Sequence, residues 1–191
     1  MELRRETPYL QKPTASRVDF RTDIEMPFGL TAEPIETAIN EVYETLWVIN
    51  TSLVARNLPR LEETVLGNSF SGLLSEVIVK SLGKHCGTLV RNVKVGGHPD
   101  LIPAGMYPGD SILKGEGIEV KTSIQSGGWQ GHNPEACWIM IFQYAIDITT
   151  QPVEERSPSM FTKVMIAHLE LEDWSFSGRK GQSRRTPTAS I

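Results

Sequence analysis

The amino-acid sequence predicts an α/β (α+β) protein, a mixed central sheet with helices packed on it, and three observations carry that expectation. Apolar residues recur at spacings of three and four through the first half of the chain, which is the period of an amphipathic helix. Runs rich in β-branched and aromatic residues dominate the second half. Glycine and proline clusters mark the change from one regime to the other, giving helices first, then three strands, then two more.

The elements follow in order. Residues 1–30 mix prolines, charges and scattered apolar positions and read as an irregular arm. A helix should begin near Pro34, a residue suited to a first helical turn, with Glu33 and Glu36 near the positive end of its dipole. Ile35, Ile39, Val42, Leu46 and Ile49 supply its apolar stripe, and Asn57-Leu58-Pro59 stops it. A second helix is expected from residue 68 or 69 to about 82, with Phe70, Leu73, Leu74, Val77, Ile78 and Ser81 inward and Gly83 as its stop. At about 100° per residue Glu76 falls about 60° from Leu73, at the edge of that buried face.

Beyond Gly87 the pattern becomes extended. Residues 88–95 read as a strand ended by Gly96-Gly97, and 100–103 as a short extended piece that Pro103 confines to an edge or end. Residues 117–122 form a further strand with Glu119 and Lys121 on one face and Ile118 and Val120 on the other. Residues 126–134 read as a loop. The apolar runs 136–146 and 161–171 read as strands covered on both faces.

The 191 residues give room for one domain with a substantial core: an N-terminal arm and helix over 1–60, a core over 61–175, and a basic flexible tail over 176–191. Hydrophobic content of 39% with 22% charged residues is ordinary for a globular chain. The net charge of −4 argues mildly against a non-specific nucleic-acid coat protein but not against a DNA enzyme, because a local patch binds phosphate. No apolar run approaches the roughly 20 residues needed to cross a bilayer, and the first residues lack the apolar stretch of a secretory signal. The expectation is a cytoplasmic protein without a membrane partner. Cys86 and Cys137 stand far apart and outside any CxxC spacing, so they read as buried thiols.

The chemistry concentrates in Pro99-Asp100 and Glu119-Val120-Lys121. Both carboxylates sit on expected strands joined by a turn-rich link that could return the chain as a hairpin. Adjacent strands lie about 4.8 Å apart, so two acids on one face could share a cation. Magnesium takes oxygen ligands, typically one or two carboxylates with water and substrate phosphate completing the shell. Lys121 would project beside that cation and could hold or deprotonate an attacking water. Taken singly, Asp100 reads rather as a turn cap after Pro99, and Glu119 with Lys121 rather as a solvated strand face; the joint occurrence in this order favours the catalytic reading.

Together these residues resemble the PD-(D/E)xK nuclease superfamily, and most closely its type II restriction endonucleases. The resemblance covers roughly residues 68–171 and implies a restriction-endonuclease-like fold, with 61–175 as the nuclease core. It implies that Asp100 and Glu119 bind Mg2+ (Mn2+ substituting), that Lys121 positions the water, and that the Val120 carbonyl is a further ligand. Glu76 occupies the place of a glutamate that many members carry on the helix before the first strand, and would be a ligand directly or through water.

The region after the catalytic strand often faces DNA in that family. Here it holds Ser123, Gln125, Trp129, Gln130, His132 and Asn133, whose Gln and Asn side chains can pair with adenine edges; an ordinary surface loop is the other reading. Arg179, Lys180, Arg184 and Arg185 of the tail would suit a phosphate-gripping arm or a solvated terminus.

The histidines offer a different chemistry, since other nucleases use them. His98 forms H-x-D with Asp100, His132-Asn133 touches an HNH pattern, and His168 is expected deep in an apolar strand; all three read as structural. There is no Gly-x-Ser-x-Gly, no GxxxxGK[ST] and no GxGxxG, so serine-hydrolase, P-loop and Rossmann readings lack support. A RecB-like exonuclease would want a Gln-x-x-x-Tyr helix, whereas Gln143 and Tyr144 are adjacent within a strand. The expectation is a Mg2+-dependent endodeoxyribonuclease acting on double-stranded DNA, as a homodimer if both strands are cut. The alternatives are a non-catalytic DNA- or protein-binding module, or a repair or recombination nuclease.

Overall fold

The structure, a computed structural model, describes residues 7–176 other than 22, 66, 128 and 131–135, together with 187–189. The arm is irregular as expected, broken by short 3₁₀ turns at Pro8–Leu10, Arg17–Asp19 and Pro27–Gly29. Helix α1 spans Ala32–Val54, with Glu33 and Pro34 in its first turn. It buries Ile35, Ala38, Ile39, Val42, Tyr43 and Leu46, a stripe that repeats at three and four residues. A single turn, α2, covers Leu61–Thr64, and α3 runs Asn68–His85.

The sequence predicts a stop at Gly83, but α3 continues past it to His85. Gly83 instead lets β1 approach: a Cβ there would lie 2.7 Å from the Arg91 backbone nitrogen. The buried stripe is correspondingly rotated towards Val79 and Leu82, leaving Leu73 exposed.

The strands are β1 Leu89–Arg91, β2 Leu101–Pro103, β3 Ile118–Ser123, β4 Trp129–Gln130, β5 Cys137–Ala145, β6 Met160–Leu169, β7 Ser175–Phe176 and β8 Pro187–Ala189. Five of them form a mixed sheet in the order β1-β2-β3-β5-β6, antiparallel except for the parallel β3–β5 pair. Its face bearing Ile118, Val120, Met140, Phe142 and Tyr144 packs on α1 and α3 to make the main core. On the opposite face Ile139 and Ile141 pack with Met165, Leu169 and Trp174. The fold is therefore a mixed α/β arrangement with helices against the sheet.

Three sequence expectations need correction. First, the 88–95 strand ends at Arg91: the Asn92 N–H still reaches the Asp100 carbonyl at 2.9 Å, but its side chain bonds the Pro99 and Ile112 carbonyls and the residues beyond it leave β2. Second, β5 is covered on both faces, but β6 is the sheet edge and most of its residues are exposed or half-buried. His168 shares that edge, with its side chain open to solvent and 3.0 Å from Glu170. Third, the backbone of 129–130 in the expected loop and 187–189 in the expected tail pairs, with β7, into a second sheet of order β4-β8-β7. Strand pairing between distant segments leaves no local signature.

Gly117 fixes the approach of β3 to β2. Its φ is +150° and a Cβ there would lie 1.9 Å from the Leu101 carbonyl oxygen, at the Leu101–Ile118 pairing. Gly117→Ala is expected to lower stability by on the order of 3 kcal/mol, read from urea unfolding. An unchanged unfolding midpoint would show that β2 can move away at little cost.

Candidate active site

Asp100 lies immediately before β2, and Glu119 and Lys121 lie on β3. The β2–β3 ladder is short, with Leu101 opposite Ile118 as its register pair. Beyond it the backbone of Val120 is engaged by side chains. Its N–H donates to Asp100 Oδ2 at 2.9 Å, and its carbonyl oxygen accepts from Ser75 Oγ of α3 at 3.4 Å. A gap between two strands thus contains a carboxylate and a backbone carbonyl, because Asp100 substitutes for a missing ladder partner.

Glu119 is 9% exposed and both of its oxygens are held. Lys121 Nζ donates to Oε1 at 2.5 Å, and His98 Nδ1 lies 3.0 Å from Oε2. The contact between Glu119 and Lys121 follows from strand geometry, since residues two apart share a face. His98 is held in turn through its backbone: its N–H donates to the Leu113 carbonyl at 3.0 Å, and its carbonyl accepts from the Gly115 N–H at 3.1 Å. By sequence alone His98 reads as structural, and its single signal is its position two residues before Asp100.

The electrostatics separate the two acids. Burial, followed by the charge of Glu119, pushes Asp100 up to about 6, against the weaker pull of the Val120 N–H, Lys121 and His98. Burial also acts to raise Glu119, but the charge and hydrogen bond of Lys121, with His98, hold it below the usual carboxylate range. The pair therefore keeps its last proton on Asp100 and presents, when ionised, more negative charge than Lys121 neutralises. Such divergence within an acid pair is a frequent mark of functional sites.

Asp100 also lies on a cleft whose walls include Ser75, Glu76 and Val79 of α3 and Arg91, Lys94 and Val95. Glu76 is on that wall, but its side chain is 70% exposed and its carboxylate is held by Arg91 at 2.7 Å. The available donors, two carboxylates and a backbone carbonyl, are the hard oxygen ligands that Mg2+ or Mn2+ takes. Among the described residues, no three His, Cys, Asp or Glu side chains form a ready-made metal cage. Glu119 would have to loosen its contacts with Lys121 and His98 to become a ligand.

Of the expected DNA-facing residues, Gln125 is exposed, with its backbone N–H donating to Ser123 Oγ at 2.9 Å. The backbone of Trp129 and Gln130 is in β4, while His132, Asn133, Arg179, Lys180, Arg184 and Arg185 lie outside the described residues. Cys86 is buried and Cys137 half-buried. Among the described residues no helix is long and apolar enough to cross a membrane. Comparison with protein-family models, with curated proteins and with solved structures gave no match.

Proposed function

We propose that this protein is a Mg2+-dependent endodeoxyribonuclease that hydrolyses phosphodiester bonds of double-stranded DNA, a PD-(D/E)xK enzyme in the manner of type II restriction endonucleases. The supporting observation is the convergence of Asp100, the Val120 backbone and the Glu119–Lys121 pair between β2 and β3. Asp100, Glu119 and the Val120 carbonyl would hold the metal, which supplies charge to the phosphate and acidifies bound water. Glu76 could join them through water if Arg91 lets go.

Lys121 would orient the attacking water and balance charge growing on the phosphate. The water gives up a proton to solvent as its oxygen bonds to phosphorus, the bond from phosphorus to the 3′ oxygen breaks, and solvent supplies a proton to that leaving oxygen. His98 fixes one oxygen of Glu119 and is a positioning residue. One such site cuts one strand, so a double-strand cut calls for a homodimer; a nicking monomer is the other form of the same reading.

The rival is a non-catalytic DNA- or protein-binding module, favoured by the fact that both Glu119 oxygens are already engaged. Incubating supercoiled plasmid with the protein separates the two. Nicked or linear product is expected with Mg2+ or Mn2+ and none with EDTA. Binding without cutting in every divalent metal tried would favour the module.

A further inference from the structure

The chain between β1 and β2 behaves unlike an ordinary connecting loop. Val93-Lys94-Val95 favours a strand by composition, yet it leaves the sheet at Asn92. Asn92 is buried and fully engaged. Its Nδ2 donates to the carbonyls of Pro99 at 3.0 Å and Ile112 at 2.9 Å, while its Oδ1 accepts from the N–H groups of Lys94 at 3.1 Å and Ile112 at 3.2 Å. The Val93 N–H donates to the Asp110 carbonyl, and the Gly97 N–H to the Lys94 carbonyl. The loop is braced from beneath along its length.

What that brace holds out is apolar. Val95 is 95% exposed and Val93 62% exposed, with Lys94 exposed between them. Single exposed valines are common on protein surfaces; two at the tip of a braced loop gain nothing for folding. Residues 91–98 carry Arg91, Lys94 and His98 and no acidic residue, in a chain of net charge −4. Lys94 makes no ion pair among the described residues, and Arg91 is held by Glu76. Arg91, Lys94 and Val95 line the cleft that runs to Asp100. Local breaks of sequence preference concentrate where function requires them.

We propose that this loop is a wedge that enters a groove of duplex DNA beside the phosphate to be cut, a reading that rests on the nuclease function above. Lys94 contacts a backbone phosphate, and Val95, backed by Val93, packs against sugars or a base step, as apolar wedges of groove-binding proteins do. Gly97 belongs to the brace itself, since a Cβ there would lie 2.4 Å from the Ile112 carbonyl oxygen and 2.8 Å from Asn92 Nδ2. The loop thereby seats the duplex so that a phosphate lies over Asp100 and Glu119.

The test uses the full chain and a fluorescein-labelled, mixed-sequence 200-base-pair duplex (a length of roughly 20 helical turns), with Ca2+ in place of Mg2+, and affinity measured against KCl concentration. Lys94→Gln is expected to weaken binding severalfold and to reduce the slope of log K against log salt by about 1. Val95→Ser is expected to weaken binding roughly fivefold to tenfold with the slope unchanged. Lys163→Gln, an exposed charge on β6 at the far edge of the sheet, is expected to bind as wild type. Neither loop residue is buried, so thermal unfolding should stay the same in all variants. If wild type binds and cuts while both loop variants bind like it, the wedge is wrong and the nuclease reading stands. If wild type neither retains the duplex nor cuts plasmid with any divalent metal, the nuclease reading falls and the wedge with it.

Discussion

Asp100→Asn and Lys121→Met are each expected to reduce plasmid cleavage by about 10³-fold or more, the scale of removing a positioned acid–base group or an electrostatic contact of the transition state. Asn keeps an oxygen that can accept the Val120 N–H, so the strand gap survives while a charge is lost. Lys121→Met keeps the side-chain length and removes the ammonium that faces Glu119. Undiminished cutting by both variants would refute the site.

The same substitution at Asp100 should act oppositely on stability. The carboxyl has its pKa raised to about 6 from 3.8, chiefly by burial and then by the charge of Glu119. Below about pH 4 it is protonated in both folded and unfolded chains and contributes nothing. Between about 4 and 6 the unfolded chain releases its proton while the folded one retains it, so stability falls as pH rises, and above 6 the loss is complete. In EDTA at pH 7.5, Asp100→Asn is therefore expected to be more stable than wild type by on the order of 1–2 kcal/mol, with no gain at pH 4. A variant that loses activity and melts lower at pH 7.5 would mean that Asp100 serves the fold more than the chemistry.

The second large effect lies away from the site. Arg60 is 1% exposed, with Glu62 equally buried beside it. Its guanidinium donates to the carbonyls of Tyr9 at 3.3 Å, Ser157 at 3.0 Å and Asp147 at 2.9 Å, stacks on the Tyr9 ring, and lies 3.4 Å from Glu62 and Glu63. Asn50 and Ser159 complete the shell of Glu62, while Tyr9 and Arg156 complete that of Glu63. One cation thus ties the N-terminal arm, α2 and the 147–159 connection together.

Arg60→Met would deprive the buried Glu62 and Glu63 carboxylates and three part-buried carbonyls of that partner. Removing one member of a buried ionic cluster costs about 3–5 kcal/mol, or roughly 6–20 °C in Tm for a chain of this size. Adding Glu62→Gln should recover part of that loss, because one stranded charge is removed with its partner. A shift of under about 1 kcal/mol in the single variant would show that water can replace the guanidinium, and would reduce the cluster to a surface-like pair.

The elements with a strong period were legible in the sequence. The stripe of α1 can be counted from Ile35 to Leu46, and the opposite faces of β3 follow from its alternation. That alternation also placed Glu119 beside Lys121, and the turn-rich link brought Asp100 back towards them. His98, Asn92 and Arg60 were not legible in the same way. Each acts through partners distant in the chain, and a single polar residue looks the same whether it faces water or completes a buried cluster.

The sequence by itself determined the mixed helix-and-sheet character and the grouping of two acids and a lysine, because side-chain period and strand face are local properties. The tertiary structure alone decided the strand order, the brace under Val93-Lys94-Val95 and the closure of the Arg60 cluster. Those depend on which distant backbone groups meet. Burial and the hydrogen bonds it requires, rather than intrinsic preference, select that arrangement.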